Sequence, residues 1–175
     1  MNKSTSLYLS ALCKMHWQSP RQFDYPSAVS GAWLQEMGSL SQRLAQSCHQ
    51  LKVKVINNQP VAFNDFMPIE RQGLPCETFW VRDVMLYGDD QPWVVARTLM
   101  PLSVIDEAPC DLSQLGEKPL GLTVFDSPQA RRDQLEVAYC PDPHRTLLAR
   151  RSRLWMHEHA MLVSEIFLPE SPIYK

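Results

Sequence analysis

The sequence contains five cysteines but no Cys-x-x-Cys pair. They are odd in number and scattered along the chain, at Cys13, Cys48, Cys76, Cys110 and Cys140. This pattern argues against a disulfide framework and against a zinc site. A short apolar run at residues 7–13 faintly resembles an export signal, but Lys14 and His16 follow it at once. We therefore expect a protein of the reducing cytoplasm.

Glycine is scarce, with six residues in a chain of 175, and none of them belongs to a glycine-rich phosphate loop. Because such loops commonly bind nucleotide cofactors, we expect no nucleotide cofactor. His157 and His159 flank Glu158, but the sequence suggests no third or fourth ligand for a metal. We expect a site that uses neither metal nor cofactor.

The sequence has no excess of positive charge, because it contains 17 Lys and Arg residues and 19 Asp and Glu residues, which gives a net charge of -2. Proteins that bind nucleic acid or anionic membranes usually carry a basic surface, so we expect neither partner. No stretch approaches the roughly 20 apolar residues of a membrane-spanning helix. The length and a hydrophobic content of 45% suit one soluble domain, residues 1–175. Any cationic site must therefore be local.

Hydrophobic periodicity predicts both helices and strands. Apolar residues recur at helical spacing over residues 30–47, which predicts one amphipathic helix. Alternation predicts a strand from Leu51, and Asn57, Asn58 and Pro60 then predict a turn before a second strand at 61–63. Short helices and loops are predicted over 106–127, and further strands at 135–139, 147–156 and 161–168. Runs of strands with inserted helices favour an α+β fold with a largely antiparallel sheet.

Residues 77–100 predict a β-hairpin around Gly88-Asp89-Asp90-Gln91. A two- or four-residue loop gives the same register, which sets Arg82 opposite Arg97. Like charges opposite one another are destabilising, so this pairing predicts an anion between the two guanidinium groups. Two alternatives remain open: both arginines point into solvent, or acidic neighbours neutralise them. A three- or five-residue loop would also break the pairing.

Glu165 lies in the predicted strand 161–168, which is otherwise apolar on both faces apart from Ser164. A buried carboxylate requires a compensating partner. A turn centred on Glu158 and His159 would place Ser152 opposite Glu165, with Arg150 on the diagonal. Glu165 is then either one half of a core ion pair or a catalytic carboxylate.

Five blocks of this sequence resemble the chorismate lyase family in order and spacing. They span residues 79–83, 91–101, 116–121, 150–154 and 165–174, and include Gly116-Glu117-Lys118-Pro119-Leu120-Gly121 and Arg150-Arg151-Ser152-Arg153-Leu154. The similarity runs from about Trp33 to Tyr174, and residues 1–30 match only loosely. One block alone is weak, but five in register are specific.

The resemblance implies a six-stranded antiparallel sheet with helical flaps over an enclosed site, in a monomer without metal or cofactor. It implies removal of the enolpyruvyl group of chorismate as pyruvate, leaving 4-hydroxybenzoate for ubiquinone synthesis. Release of an enclosed product should be slow, so 4-hydroxybenzoate should inhibit.

The resemblance also implies site residues. Arg82 resembles the arginine that binds a substrate carboxylate, Arg97 a second cationic contact, and Glu165 the essential acidic residue. Leu120 resembles the residue whose backbone N–H contacts the ligand. Leu40 stands where the familiar family member has a ligand-contacting methionine, so the contact would stay apolar through a different side chain.

An alternative hypothesis is that the protein is a non-catalytic sensor of carboxylic acids, because effector domains of certain bacterial transcription regulators are similar in fold to this family. The first thirty residues leave no room for a DNA-binding helix-turn-helix, and the presence of Arg82, Arg97 and Glu165 together favours catalysis.

Overall fold

Six strands and five α-helices make up the computed structural model, which describes residues 3–108 and 111–175. The strands are β1 Leu51–Val61, β2 Phe79–Gly88, β3 Gln91–Pro101, β4 Arg131–Pro141, β5 Thr146–Met156 and β6 His159–Phe167. The helices are α1 Lys3–Leu12, α2 Ala28–Leu34, α3 Leu40–Ala45, α4 Leu102–Glu107 and α5 Leu120–Phe125. Short 3-10 turns cover Phe63–Asp65, Leu112–Gln114 and Pro172–Tyr174.

The strands form one sheet in the order β1-β2-β3-β6-β5-β4, and every neighbouring pair is antiparallel. The predicted α+β fold with a six-stranded antiparallel sheet is therefore confirmed. Because side chains alternate along a strand, the sheet has two faces. The face that carries Arg82 and Val84 of β2 is called the pocket face, and the face that carries Asp83 and Met85 the back face.

Helices pack on both faces of this sheet. On the pocket face, Trp33 and Leu34 of α2 and Leu44 of α3 join the sheet residues in one buried cluster. On the back face, Leu9 and Leu12 of α1 belong to a second cluster. No helix in the ranges 3–108 and 111–175 is long and apolar enough to cross a membrane.

The single helix predicted over residues 30–47 is wrong, because α2 ends at Leu34 and α3 begins at Leu40. Ser39 is the N-cap of α3, since its hydroxyl accepts a hydrogen bond from the Gln42 N–H. The apolar spacing continues across the break, which is why periodicity alone joins the two helices. The break places Leu40 in the first turn of α3.

The turn predicted at Asn57 and Asn58 is also wrong, because both residues lie within the continuous strand β1. A bulge between Val55 and Asn57 accommodates them. The Asn57 amide donates to Asp83 Oδ2 at 2.8 Å, and the Asn58 amide donates to the Ser113 carbonyl at 2.7 Å. Pro60 is tolerated because β1 is an edge strand.

The predicted hairpin at β2–β3 is confirmed, but its register changes along its length. Asp89 and Asp90 occupy the turn with φ of 48° and 67°, the left-handed conformation that type I′ hairpins require. Trp93 is the extra residue of a bulge, because Tyr87 faces Pro92 whereas Leu86 faces Val94. The Trp93 ring lies against Gly88, where an added Cβ would come within 2.2 Å of it.

Beyond this bulge, Arg82 lies opposite Thr98, and Asp83 lies opposite Arg97. The predicted pairing of Arg82 with Arg97 is therefore wrong. A one-residue shift moves a side chain to the other face of the sheet. Arg82 lies on the pocket face and Arg97 on the back face.

The β5–β6 hairpin is confirmed with a different turn, because Met156 pairs with His159. The register is two residues from the predicted one. Arg150 lies directly opposite Glu165, and Ser152 lies opposite Val163. A shift of two residues leaves each side chain on the same face of the sheet, so Glu165 still shares a face with Arg150 and Ser152, as predicted.

The short helices predicted over 106–127 are confirmed in the described residues, where the end of α4, a 3-10 turn and α5 follow one another. Residues 109 and 110 of that range, including Cys110, lie outside the described residues.

Candidate active site

A pocket lies between the pocket face and helices α3 and α5. Its floor is formed by side chains from all six strands. Leu40 and Ser41 of α3 and residues 119–121 at the start of α5 form the cover. Most of the lining is apolar, but three ionisable side chains enter it: Arg82, Arg132 and Glu165.

The cover depends on a close approach of α3 and α5 at Gly121. A Cβ at this position would lie 3.0 Å from the Ser39 hydroxyl and 3.3 Å from that of Ser41. Leu40 and Leu120 are both buried in the lining. The predicted apolar contact from Leu40 and the predicted backbone contact from Leu120 stay predictions, and both residues lie where such contacts require them.

Arg82 is 2% exposed and anchors the cover. Its Nη2 donates to the Gly116 carbonyl at 2.9 Å and to the Lys118 carbonyl at 3.0 Å. Its Nη1 is buried and has no hydrogen-bond partner among the described residues. Burial also lowers the pKa of Arg82 from its usual value. An anion in the pocket would satisfy the free Nη1 and compensate the buried charge.

Glu165 is 5% exposed and lines the same pocket. Its Oε2 accepts a hydrogen bond from Arg150 Nε at 2.5 Å. Arg150 is fully buried, and its Nη1 donates to the carbonyls of Trp33 at 3.3 Å and Glu36 at 2.8 Å. Glu165 is thus part of a core ion pair and also faces the pocket, so the two alternatives from the sequence coexist.

Arg132 is a pocket residue that the sequence analysis missed. It is 8% exposed, and its Nη1 donates a short hydrogen bond to the Ser152 hydroxyl. Its Nε is buried without a hydrogen-bond partner in the part of the chain that the structure describes. Burial, together with the nearby charge of Arg150, lowers the pKa of Arg132 to about 10, while Glu165 acts in the opposite direction. Arg132 remains charged at neutral pH.

The sequence signal for Arg132 was the pair Arg131-Arg132 just before the predicted strand 135–139. β4 actually begins at Arg131 and contains a bulge between Asp133 and Glu136, where Gln134 adopts a φ of 46°. The bulge changes which side chains face the pocket, so simple alternation fails there.

Arg97 does not line this pocket, because it belongs to the back face. Its Nε and Nη2 donate to the two carboxylate oxygens of Asp83 at 2.8 and 3.1 Å, and its Nη1 lies 3.4 Å from Glu70 Oε1. Burial lowers the pKa of Arg97, but the hydrogen bonds and charge of Asp83 outweigh it and raise the pKa overall. The prediction that Arg97 faces an anion together with Arg82 is wrong, and acidic neighbours neutralise it instead.

The buried charges of the pocket face do not balance. Three arginines, Arg82, Arg132 and Arg150, stand against Glu165 alone, so the described residues leave a surplus of two positive charges. In the described part of the chain, no group of three or more His, Cys, Asp or Glu side chains could hold a metal ion. The chemistry available to these residues is anion binding and proton transfer.

The two pocket arginines approach from opposite sides of Glu165. Arg82 lies on β2 and Arg132 on β4, with β3, β6 and β5 between them. Four strand spacings of about 4.8 Å separate their backbones by about 19 Å. Long side chains reaching inward from both sides suit a compact ligand with an anionic group at each end.

A pocket with buried cationic groups, covered by two short helices on an antiparallel sheet, has the chemical character that suits a small anionic ligand. The sequence model of the Chorismate lyase family matches residues 11–175. The chain belongs to the chorismate lyase family. The match begins at residue 11, whereas the resemblance in order and spacing starts only at about Trp33.

Curated relatives carry matching names. The chain is 47% identical over 174 residues to the probable chorismate pyruvate-lyase of Vibrio vulnificus strain CMCP6, covering 99% of this chain and 97% of that protein. It is 39% identical over 145 residues to the chorismate pyruvate-lyase of Pectobacterium atrosepticum, covering 82% and 79% of the two chains.

Solved structures share the fold at low sequence identity. The effector domain of PhnF from Mycobacterium smegmatis matches with a TM-score of 0.51 and 10% identity, over 76% of this chain and 90% of that one. The gene product SA0254 from Staphylococcus aureus matches with a TM-score of 0.52 and 8% identity, over 76% and 89%. These likenesses support the fold alone.

Proposed function

We propose that this protein is a chorismate pyruvate-lyase that converts chorismate into pyruvate and 4-hydroxybenzoate. The observation that carries the proposal is the surplus of two buried positive charges on the pocket face, with Arg82 and Arg132 lining the pocket itself. Chorismate carries two carboxylates, one on its ring and one on the enolpyruvyl group. Binding this dianion would neutralise the pocket face.

Each carboxylate has an arginine available to it. Arg82 binds the ring carboxylate through its free Nη1, and Arg132 binds the enolpyruvyl carboxylate through its free Nε. Glu165 lies on the strand between them and faces the ring carbons that react. Two fixed charge-assisted contacts hold the substrate in one orientation, which lowers the entropic cost of reaction.

The reaction itself is an elimination. The C4–H and C3–O bonds break, and the electron pair of the C4–H bond forms the C3–C4 double bond that makes the ring aromatic. The enolpyruvyl oxygen departs with its electrons, and the enolpyruvate takes up a proton to become pyruvate. Glu165 is the proton-transfer group, with Arg150 holding its Oε2 and leaving Oε1 for the substrate.

The cover formed by α3 and α5 keeps water away from these contacts. Leu40 and Leu120 close the pocket above the ring, with the Leu120 N–H as a backbone contact to the ligand. Since product release requires the cover to open, 4-hydroxybenzoate inhibits the enzyme. The product feeds ubiquinone synthesis, and the protein acts in the cytoplasm as a monomer without nucleic-acid partners.

A carboxylic-acid sensor is the weaker candidate. Its support is the fold shared with one effector domain at 10% identity, whereas named lyases match the chain at 39% and 47%.

The test is to mix the purified protein with chorismate and follow both products. Pyruvate is measured by coupled reduction with lactate dehydrogenase, and 4-hydroxybenzoate by its absorbance. Equal amounts of the two products support the lyase. Saturable binding of chorismate without either product would instead support the sensor and refute our proposal.

A further inference from the structure

Arg132 has an unsatisfied group that no residue of the described chain compensates. The residue is more than nine-tenths buried and lines the pocket, and its Nε is buried without a partner among the described residues. A buried charged donor left unpaired is costly. The surroundings of Arg132 therefore favour an external acceptor.

The neighbouring charges do not supply that acceptor. Arg150 repels Arg132, and the Oε2 atom of Glu165 is already held by Arg150. Ser152 accepts from Nη1, which fixes the direction of the guanidinium without neutralising it. The carboxylates of Glu165 and Glu36 favour the charged form of Arg132 from a distance, but neither accepts a hydrogen bond from its Nε among the described residues. Arg132 is thus oriented and lacks a direct acceptor, as expected of a built anion subsite.

This subsite is separate from the one at Arg82. The two arginines lie on β4 and β2, on opposite sides of Glu165. Leu154 and Val163 line the pocket together with Arg132 and provide apolar contact for a small methyl group. A short monocarboxylate fits this combination of one cation and an apolar wall.

We infer that Arg132 forms a second anion subsite that holds a small monocarboxylate, such as pyruvate, while the aromatic product occupies the Arg82 subsite. This inference rests on the proposed function. The aromatic product carries one carboxylate, so it compensates one of the two surplus charges and leaves the other at Arg132. The two products therefore bind simultaneously and do not exclude one another.

A double-inhibition experiment tests this directly. Chorismate turnover is measured by 4-hydroxybenzoate formation while added 4-hydroxybenzoate and pyruvate are varied together, and reciprocal rate is plotted against one inhibitor at fixed levels of the other. Intersecting lines are expected, because both inhibitors bind the same enzyme molecule. Parallel lines would mean mutually exclusive binding and would overturn the inference.

A binding measurement gives the same answer without turnover. Pyruvate is titrated into protein saturated with 4-hydroxybenzoate, at constant ionic strength set with a bulky buffer anion. One saturable site per chain is expected, and 4-hydroxybenzoate should stay bound. Displacement of the aromatic product, or no saturable binding up to about 50 mM, would overturn the inference.

Variants identify the subsite. Arg132→Gln should abolish pyruvate binding to the product-saturated protein, and Ser152→Ala, a smaller change, should weaken it severalfold. Arg131→Gln is the matched control, because it removes an exposed positive charge from the same strand outside the pocket and should leave pyruvate binding unchanged. Pyruvate binding that survives in Arg132→Gln would refute the assignment.

Failure of the subsite and failure of the proposed function give different results with the wild-type protein. Absence of both chorismate turnover and 4-hydroxybenzoate binding would refute the proposed function as well, whereas turnover with parallel lines in the double-inhibition plot would refute the subsite alone.

Discussion

Arg150 lies directly opposite Glu165 across the β5–β6 pair and donates a 2.5 Å hydrogen bond from Nε to Oε2. The guanidinium is itself fixed by the backbone carbonyls of Trp33 and Glu36, close to the break between α2 and α3. The carboxylate is therefore held by the same arginine that ties this break to the sheet. Oε2 is committed to this ion pair, and Oε1 has no hydrogen-bond partner among the described residues.

Glu165→Gln should lower kcat for chorismate by about 100- to 10,000-fold, because an amide cannot accept and return a proton as a carboxylate does. KM should change much less, since Gln keeps the shape of the side chain. Turnover is measured from pyruvate release. Glu136→Gln is the matched control, because Glu136 pairs with Arg151 outside the pocket. Wild-type kcat in Glu165→Gln would remove Glu165 from the mechanism.

Arg82→Gln should raise KM for chorismate by about 10- to 100-fold, through loss of a charge-assisted contact to a carboxylate. Steady-state kinetics over a wide chorismate range provide the measurement. The hydrogen bonds to the Gly116 and Lys118 carbonyls are lost as well, so the variant should also release 4-hydroxybenzoate faster. An unchanged KM would contradict the assignment of the ring carboxylate to Arg82.

Arg97→Gln should differ from Arg82→Gln, because it should lower the stability of the fold and have little effect on KM for chorismate. Asp83 is fully buried, and removal of Arg97 leaves its carboxylate without its ionic partner. Such a loss should lower the free energy of unfolding by about 3 kcal/mol, measured by urea denaturation. A KM increase as large as that of Arg82→Gln, with unchanged stability, would place Arg97 in the site after all.

The contrast between Arg82 and Arg97 shows how far the sequence predicts this site. Turn residues between apolar segments correctly predict both hairpins, and the apolar run around Glu165 correctly predicts that this residue is buried. The bulge at Trp93, where the Trp93 ring packs on Gly88, turns Arg97 away from the face that carries Arg82. Local spacing carries no signal of this tertiary contact.

Arg132 was missed for a related reason. The predicted strand began at Leu135, because the apolar alternation is clear only from there. The first half of β4 is polar and is separated from the second half by the bulge at Gln134. Pairing with β5, a non-local interaction, defines this part of the strand, so a single-sequence pattern cannot place Arg132 in the pocket.

Gly121→Ala should impair closure of the cover without destabilising the fold. The new methyl group would press against Ser39 and separate α5 from α3, so kcat/KM for chorismate should fall by about tenfold. Alanine in a helix is otherwise favoured over glycine by about 1 kcal/mol, so urea stability should not fall. Gly38→Ala is the control, since its methyl group meets only the flexible Glu36 carboxylate. Equal kcat/KM in the two variants would mean that this helix contact does not govern closure.

Asp133, at the bulge of β4, makes the stability of the fold depend on pH. Its carboxylate accepts two hydrogen bonds from Arg153, at 2.9 and 2.8 Å, next to the β4 bulge. Burial alone raises the pKa of Asp133, but the contacts with Arg153 outweigh it and hold the pKa below 3.8. A carboxylate with a lowered pKa in the folded state stabilises the protein above its ordinary pKa, and this contribution is lost as pH falls through the folded pKa.

At pH 7, Asp133→Asn should therefore lower the free energy of unfolding. The loss should be no more than about 1 kcal/mol, because solvent screens this partly exposed ion pair. The difference from the wild type should shrink toward zero in urea titrations carried out well below pH 3.8, and a difference independent of pH would show that the charge of Asp133 contributes nothing.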